Sequence, residues 1–119
     1  MNFYHAHVYF PLSELPSAQR FYDLAQKEAR DQLEVYKIFP QKVGPHALPM
    51  IELRFDDTTK QQATEWIDKH RGTFSVLIHQ DTGDDYQDHS NGVQWLGEAL
   101  PIDFGFFDRV QQNPSEKVH

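Results

Sequence analysis

The stretch FYHAHVYF, residues 3–10, frames the rest of the chain. Its aromatic and β-branched side chains are those of a β-strand. Alternate side chains of a strand share a face, so Tyr4, Ala6, Val8 and Phe10 lie on one side and Phe3, His5, His7 and Tyr9 on the other. The first set is core material; the second, polar and aromatic, suits a site. His5 and His7 stand about 7 Å apart at their bases, a spacing that lets two imidazoles reach one metal ion. Imidazole suits zinc, copper, iron and nickel.

Working outward, Pro11 ends the strand, and Ser13 or Ser17 is positioned to cap a helix running to about residue 31. Ala18, Phe21, Tyr22, Ala25 and Ala29 form its buried stripe. LEVYKIF (33–39) reads as a second strand and PQKVGPH (40–46), with two prolines and a glycine, as a turn or loop. LPMIELRF (48–55) is a third strand with Ile51, Leu53 and Phe55 on one face and Met50, Glu52 and Arg54 on the other. Asp57 or Thr58 opens a second helix on which Ala63, Trp66, Ile67 and His70 share a face, and Gly72 stops it. TFSVLIH (73–79) is a fourth strand. The order β-α-β-β-α-β defines an α+β, ferredoxin-like sandwich. QDTGDDYQDHSNG (80–92) reads as a long loop, and VQWLGEALPIDFGFF (93–107) as a turn followed by a further strand. The expected architecture is therefore a ferredoxin-like sandwich with an extra C-terminal strand or extension. It forms a single domain over residues 1–110, followed by a polar tail at 111–119.

The chain's 119 residues suffice for one core. A formal charge of −7 argues against nucleic acid, whose binding relies on Lys and Arg neutralising phosphates, and against a polybasic membrane surface role. The absence of cysteine removes disulfides and thiolate metal sites, so any metal must use His, Asp or Glu. The N-terminal stretch lacks the pattern of a secretory signal, and no segment approaches the roughly 20 apolar residues of a membrane span. A cytoplasmic location is the expectation.

In a ferredoxin-like sheet of order 4-1-3-2, the end of the fourth strand meets the beginning of the first. His79 is thereby steered toward His5 and His7, on the face that the helices leave open. Glu52 and Arg54 belong to the same face. His46 precedes the third strand, at the far end from His5, and joins only if its loop curls over the sheet or a second subunit supplies it. His70 belongs to a packing stripe and His119 is terminal, so neither carries a role. The run GDD (83–85) with Asp88 does not match a calcium-loop spacing. Neither GxSxG, GxGxxG nor a phosphate-loop motif is present.

Taken together, YHAHVYF, GPHALPM, SVLIHQDTGDDYQDHS and WLGEALPIDF resemble, in order and spacing over residues 4–107, the DOPA 4,5-dioxygenase family of aromatic ring-opening enzymes. The resemblance implies a ferredoxin-like fold and extradiol cleavage of a catechol such as DOPA by dioxygen at non-haem Fe(II), with zinc or nickel as substitutes acquired in purification. It carries over to His5, His7, His46, His79 and His89. On that basis His7, His46 and His79 are the expected metal ligands, with His5 or Glu52 as replacements for His46. His89 and His5 are the expected catalytic groups moving protons or orienting substrate. Tyr9 and Trp95 would pack on the substrate ring, and Arg54 would pair with a substrate carboxylate. A zinc-dependent hydrolase is the competing enzyme class, since three histidines and a water make a catalytic zinc site. The non-enzymatic alternative is a metal- or small-ligand-binding module. A homodimer is expected, because self-association covers an apolar open sheet face.

Overall fold

The strand that opens the chain, β1 (Phe3–Tyr9), lies at the centre of a five-stranded antiparallel sheet. It is flanked by β3 (Met50–Asp56) and β4 (Val76–Gln80). β2 (Glu34–Phe39) pairs outside β3, and a short β5 (Gln94–Leu96) pairs outside β4, giving the order β2-β3-β1-β4-β5. The first four strands thus have the ferredoxin-like order, and β5 is the additional strand. The computed structural model describes residues 1–112, with side chains through Arg109. Of the polar tail expected at 111–119, residues 113–119 lie outside the described residues.

Two helices, α1 (Leu15–Glu28) and α2 (Lys60–His70), cover the face that carries Ala6, Val8 and Phe10. Ala18 and Phe21 from α1, Ala63 and Ile67 from α2, and Ile51, Leu53, Val76 and Ile78 from the strands form one buried cluster. Burial of each large aliphatic there stabilises the fold by roughly 1.5–3 kcal/mol. The helix starts differ from expectation. Ser13 falls in a single 3₁₀ turn, Leu12–Glu14, and Ser17 lies inside α1, where its Oγ accepts from Arg20. Pro16 sits in the first turn, where its missing N–H costs nothing. Asp57 is drawn away from α2 by Asn2 N and Tyr4 Oη, and Thr58 by Asp56, so Thr59 precedes α2 without a side-chain cap.

The other sheet face is not open, as had been expected. The 40–49 loop and the segment after β4 fold across it. Val43, Leu48, Val93, Trp95, Leu100 and Ile102 pack on Tyr9, Phe39, Met50 and Leu77. The two coverings are tied together by a bridge between His46 and Ile102 and by Asp103 N–H donating to Pro45 O at 2.9 Å. The run read as loop, 80–92, contains a helix, α3 (Asp85–Ser90), and the apolar run after it leads into α4 (Gly105–Gln112) in place of a strand. Short apolar runs such as FGFF carry no period that separates strand from buried helix. Here Phe106 N–H donates back to Asp103 O, and Arg109 pairs with the Asp103 carboxylate at 2.7 Å. Among the described residues no helix is long and apolar enough to cross a membrane.

Candidate metal centre

Strand register assembles the first part of the site. His5 is opposite His79 across β1–β4, and His7 is opposite Glu52 across β1–β3. His79 therefore meets His5 and His7 as the strand order predicts. His46 also arrives, from its own chain. The turn at Gly44 (φ 55°), followed by Pro45 and the bridge to Ile102, curls the loop over β1 until the His46 ring lies 4.3 Å from that of His7, centroid to centroid. His89 comes from α3, its ring 4.2 Å from that of His79 and 5.5 Å from that of His46. His7, His46, His79 and His89 are all nearly inaccessible to solvent, at 0, 4, 4 and 2 % exposure. His5 is the outer member, its Nε2 3.4 Å from the half-exposed Asp81 carboxylate.

Two sets of three histidines place one ring nitrogen from each residue within 4.8 Å of one another: His5, His7 and His79, and His7, His46 and His89. His7 belongs to both. The expected trio of His7, His46 and His79 is brought into the same cluster but is not itself one of these tight sets, because His89 takes the position beside His46. The sequence places His89 on a long loop. It is instead a buried residue of a capped helix.

The rings are held from behind. His79 Nδ1–H donates to Gln80 O at 3.0 Å and His89 Nδ1–H to Asp85 O at 2.7 Å, leaving the Nε2 lone pair of each directed into the cluster. His46 Nδ1 is 2.7 Å from Tyr9 Oη. His7 Nε2 lies 2.8 Å from His79 Nε2. With the His79 nitrogen presenting a lone pair, that separation demands a proton or a cation between the two rings. Charging the rings is strongly opposed. Burial holds His7 far below the usual imidazole range, and His46, His79, His89 and His5 each push it lower. Burial, then His89, lowers His79 to about 3. Imidazoles converging in a buried pocket, with the far nitrogens of His46, His79 and His89 anchored, are the donor set of a transition-metal ion. The residues present fit such a group.

The three expected substrate contacts separate. Tyr9 is buried behind His46, and burial raises its phenol pKa, so it stays protonated. Trp95 stacks on Tyr9 at 6.0 Å within the second apolar cluster. Arg54 lines an open cleft of about 960 Å³ together with Phe3, His5, Leu33 and Asp81. Its guanidinium is already engaged: Nε and a terminal nitrogen donate to Glu52 Oε2 at 2.8 and 2.6 Å, and Cζ lies 3.6 Å over the Tyr36 ring. Among the five clustered histidines, only His5 borders this cleft.

One residue, weighed in the sequence only as a cation ligand, has a structural role instead. Asp88, buried in α3, accepts from Thr82 N–H at 2.8 Å and from Thr82 Oγ1 at 2.6 Å, stapling the β4–α3 turn that aims His89. The signal was present in Asp84, which caps Gln87 N, and in the acidic first turn that follows it. Replacing the buried Asp88 by alanine removes both hydrogen bonds to the exposed Thr82 and is expected to cost about 1–3 kcal/mol. Urea unfolding measures that loss. Hydrogen exchange at the Thr82 amide should accelerate with it, and unchanged exchange would contradict the staple.

Residues 4–106 match the model of the Dopa 4,5-dioxygenase family. The chain is 27 % identical over 116 residues to an uncharacterized 21.2 kDa protein of Botryotinia fuckeliana, and 23 % identical over 106 residues to a DOPA 4,5-dioxygenase of Amanita muscaria. These alignments cover 89 and 83 % of this chain but only 63 and 46 % of those proteins. The crystal structure of a candidate dioxygenase from Nostoc punctiforme superposes with a TM-score of 0.81 at 28 % identity, covering 92 % of this chain and 94 % of that one. With its ferredoxin-like core and matched sequence, the chain belongs to the Dopa 4,5-dioxygenase family.

Proposed function

We propose that this protein is a non-haem Fe(II)-dependent extradiol dioxygenase that opens the ring of a catechol such as DOPA. The observation that carries this reading is the convergence of four buried imidazoles (His7, His46, His79 and His89) from β1, the 40–49 loop, β4 and α3. Three of the four would hold the ion, leaving coordination positions for a two-oxygen ligand and for dioxygen. When bound, ferrous iron acidifies a catechol hydroxyl and brings ring and oxygen together.

The remaining roles fall to the protein. His5 stands between the buried rings and the cleft, which makes the cleft the substrate's route. Burial lowers its pKa, with Glu52 and Asp81 pulling the other way, so it is neutral near pH 7 and able to take a catechol proton. Its Nε2 contact with Asp81 connects that proton to solvent. Tyr9 fixes the ring of His46, and the packed second cluster keeps bulk water away from the cluster's inner side. The donor set is complete within one chain, so a homodimer is not needed to build it. With the sheet face already covered, an uncovered apolar face no longer argues for one.

The test is anaerobic loading with ferrous iron, followed by a panel of catechols and air in an oxygen electrode. The expected result is oxygen uptake with a coloured ring-opened product, and none for a zinc-loaded sample. Absence of uptake with every catechol, despite stoichiometric iron, would refute the assignment.

A further inference from the structure

We infer that Glu52 is a positioning residue for the cation site proposed above, orienting His7 from behind instead of binding the ion. The inference rests on that reading and adds a role which the clustered histidines do not themselves supply.

Three of the four buried rings are anchored at Nδ1 by neutral groups: the carbonyls of Gln80 and Asp85 and the phenol of Tyr9. His7 differs. Among the described residues its Nδ1 has no hydrogen-bond partner, and Glu52 Oε1 stands 3.9 Å away. Both side chains are completely buried. They are brought face to face by the β1–β3 register, in which His7 and Glu52 are directly opposed.

A carboxylate buried without a partner is costly enough that the surrounding structure must hold it charged or neutralise it. Arg54, two residues along β3, grips Oε2 with two nitrogens, and Arg54 is itself clamped over Tyr36. That grip fixes the plane of the carboxylate with Oε1 toward His7. Closing the gap by about 1 Å gives an Nδ1–H donating to Oε1, which leaves the His7 Nε2 lone pair facing His79 and the other rings. A carboxylate behind a ligating imidazole sets its tautomer and makes it a stronger donor. Glu52 is not placed to bind the ion directly: neither tight set of donor atoms includes one of its oxygens.

Cobalt(II) is the probe, titrated into metal-free protein. Glu52→Gln preserves shape and removes the charge. It is expected to weaken cobalt binding roughly 10–100-fold while leaving the visible absorption bands in place, because the ligands are the same. In the zinc-loaded protein, nitrogen-15 spectra should report His7 as the Nδ1–H tautomer, with that proton shifted upfield in the variant. A merely structural role would not move this signal. If the substitution prevents folding, Glu52→Asp, with the charge kept and the reach shortened, should show the same weakening. Unchanged cobalt affinity in a folded variant would overturn the inference alone. So would loss of a ligand from the cobalt spectrum, since Glu52 would then be a ligand. A wild-type protein that takes up no cobalt would overturn the metal reading and this inference together.

Discussion

Replacing His7 by alanine is expected to abolish cation binding and, with it, all catechol-dependent oxygen uptake. His7 is the histidine common to both tight donor sets, so its loss breaks each of them. Loss of His5, His46 or His89 breaks one. The fall in affinity for His7→Ala should exceed the roughly 10–100-fold seen when a group that only orients a ligand is removed. His70→Ala is the control. His70 stacks on Trp66 at 4.3 Å in α2 and has no part in the cluster, so cation affinity should be unchanged. Equilibrium dialysis with Fe(II) or Co(II) reads both variants. Equal affinity in His7→Ala and wild type would remove the site.

Acidification is expected to unfold the metal-free protein well before its carboxylates titrate. In an unfolded chain imidazoles take up a proton near pH 6.5. In the fold, burial followed by His89 lowers His79 to about 3, and burial with the neighbouring rings holds His7 far down as well. Above about pH 6.5 neither state binds these protons and stability is at its full value. As the pH falls below that, the unfolded chain gains protons which the folded chain refuses. Stability then falls by about 1.4 kcal/mol per pH unit for each imidazole that stays neutral. Two such rings lose on the order of 5 kcal/mol over two units, comparable with the lower end of a domain's whole stability. Urea midpoints between pH 7 and 4.5 should show this slope, and His79→Asn should make it shallower. A flat profile down to pH 5 would mean that the rings are solvated. A saturating cation adds stability at pH 7, about 2.7 kcal/mol at a hundredfold excess over Kd, and this too should vanish with acid as the ligands protonate.

Much of this was legible in the sequence because period-two strands fix both face and neighbour. Ala6 and Val8 against His5 and His7, and Ile51 and Leu53 against Glu52 and Arg54, sort correctly onto two faces. The strand order then brings His79 opposite His5. What could not be read was the covering of the second face. The turn that carries His46 back over β1 depends on a bridge to Ile102, more than fifty residues away, which no local pattern encodes. α3 was hidden by its composition, since Asp- and Gly-rich runs read as loop although Asp84 is a helix cap. Trp95 and Tyr9 were legible as aromatics near the site but not as partners of each other. Arg54 was legible as a cation, though not as one already spent on Glu52.

The most direct test of the account is an anomalous-difference map at the iron edge, from crystals grown with Fe(II) under anaerobic conditions. One peak per chain is expected, within bonding distance of His7 Nε2 and of at least two nitrogens from His46, His79 and His89, with Glu52 behind His7 and unbound. A peak elsewhere on the molecule, or no peak in a preparation that consumes oxygen with catechol, would contradict it.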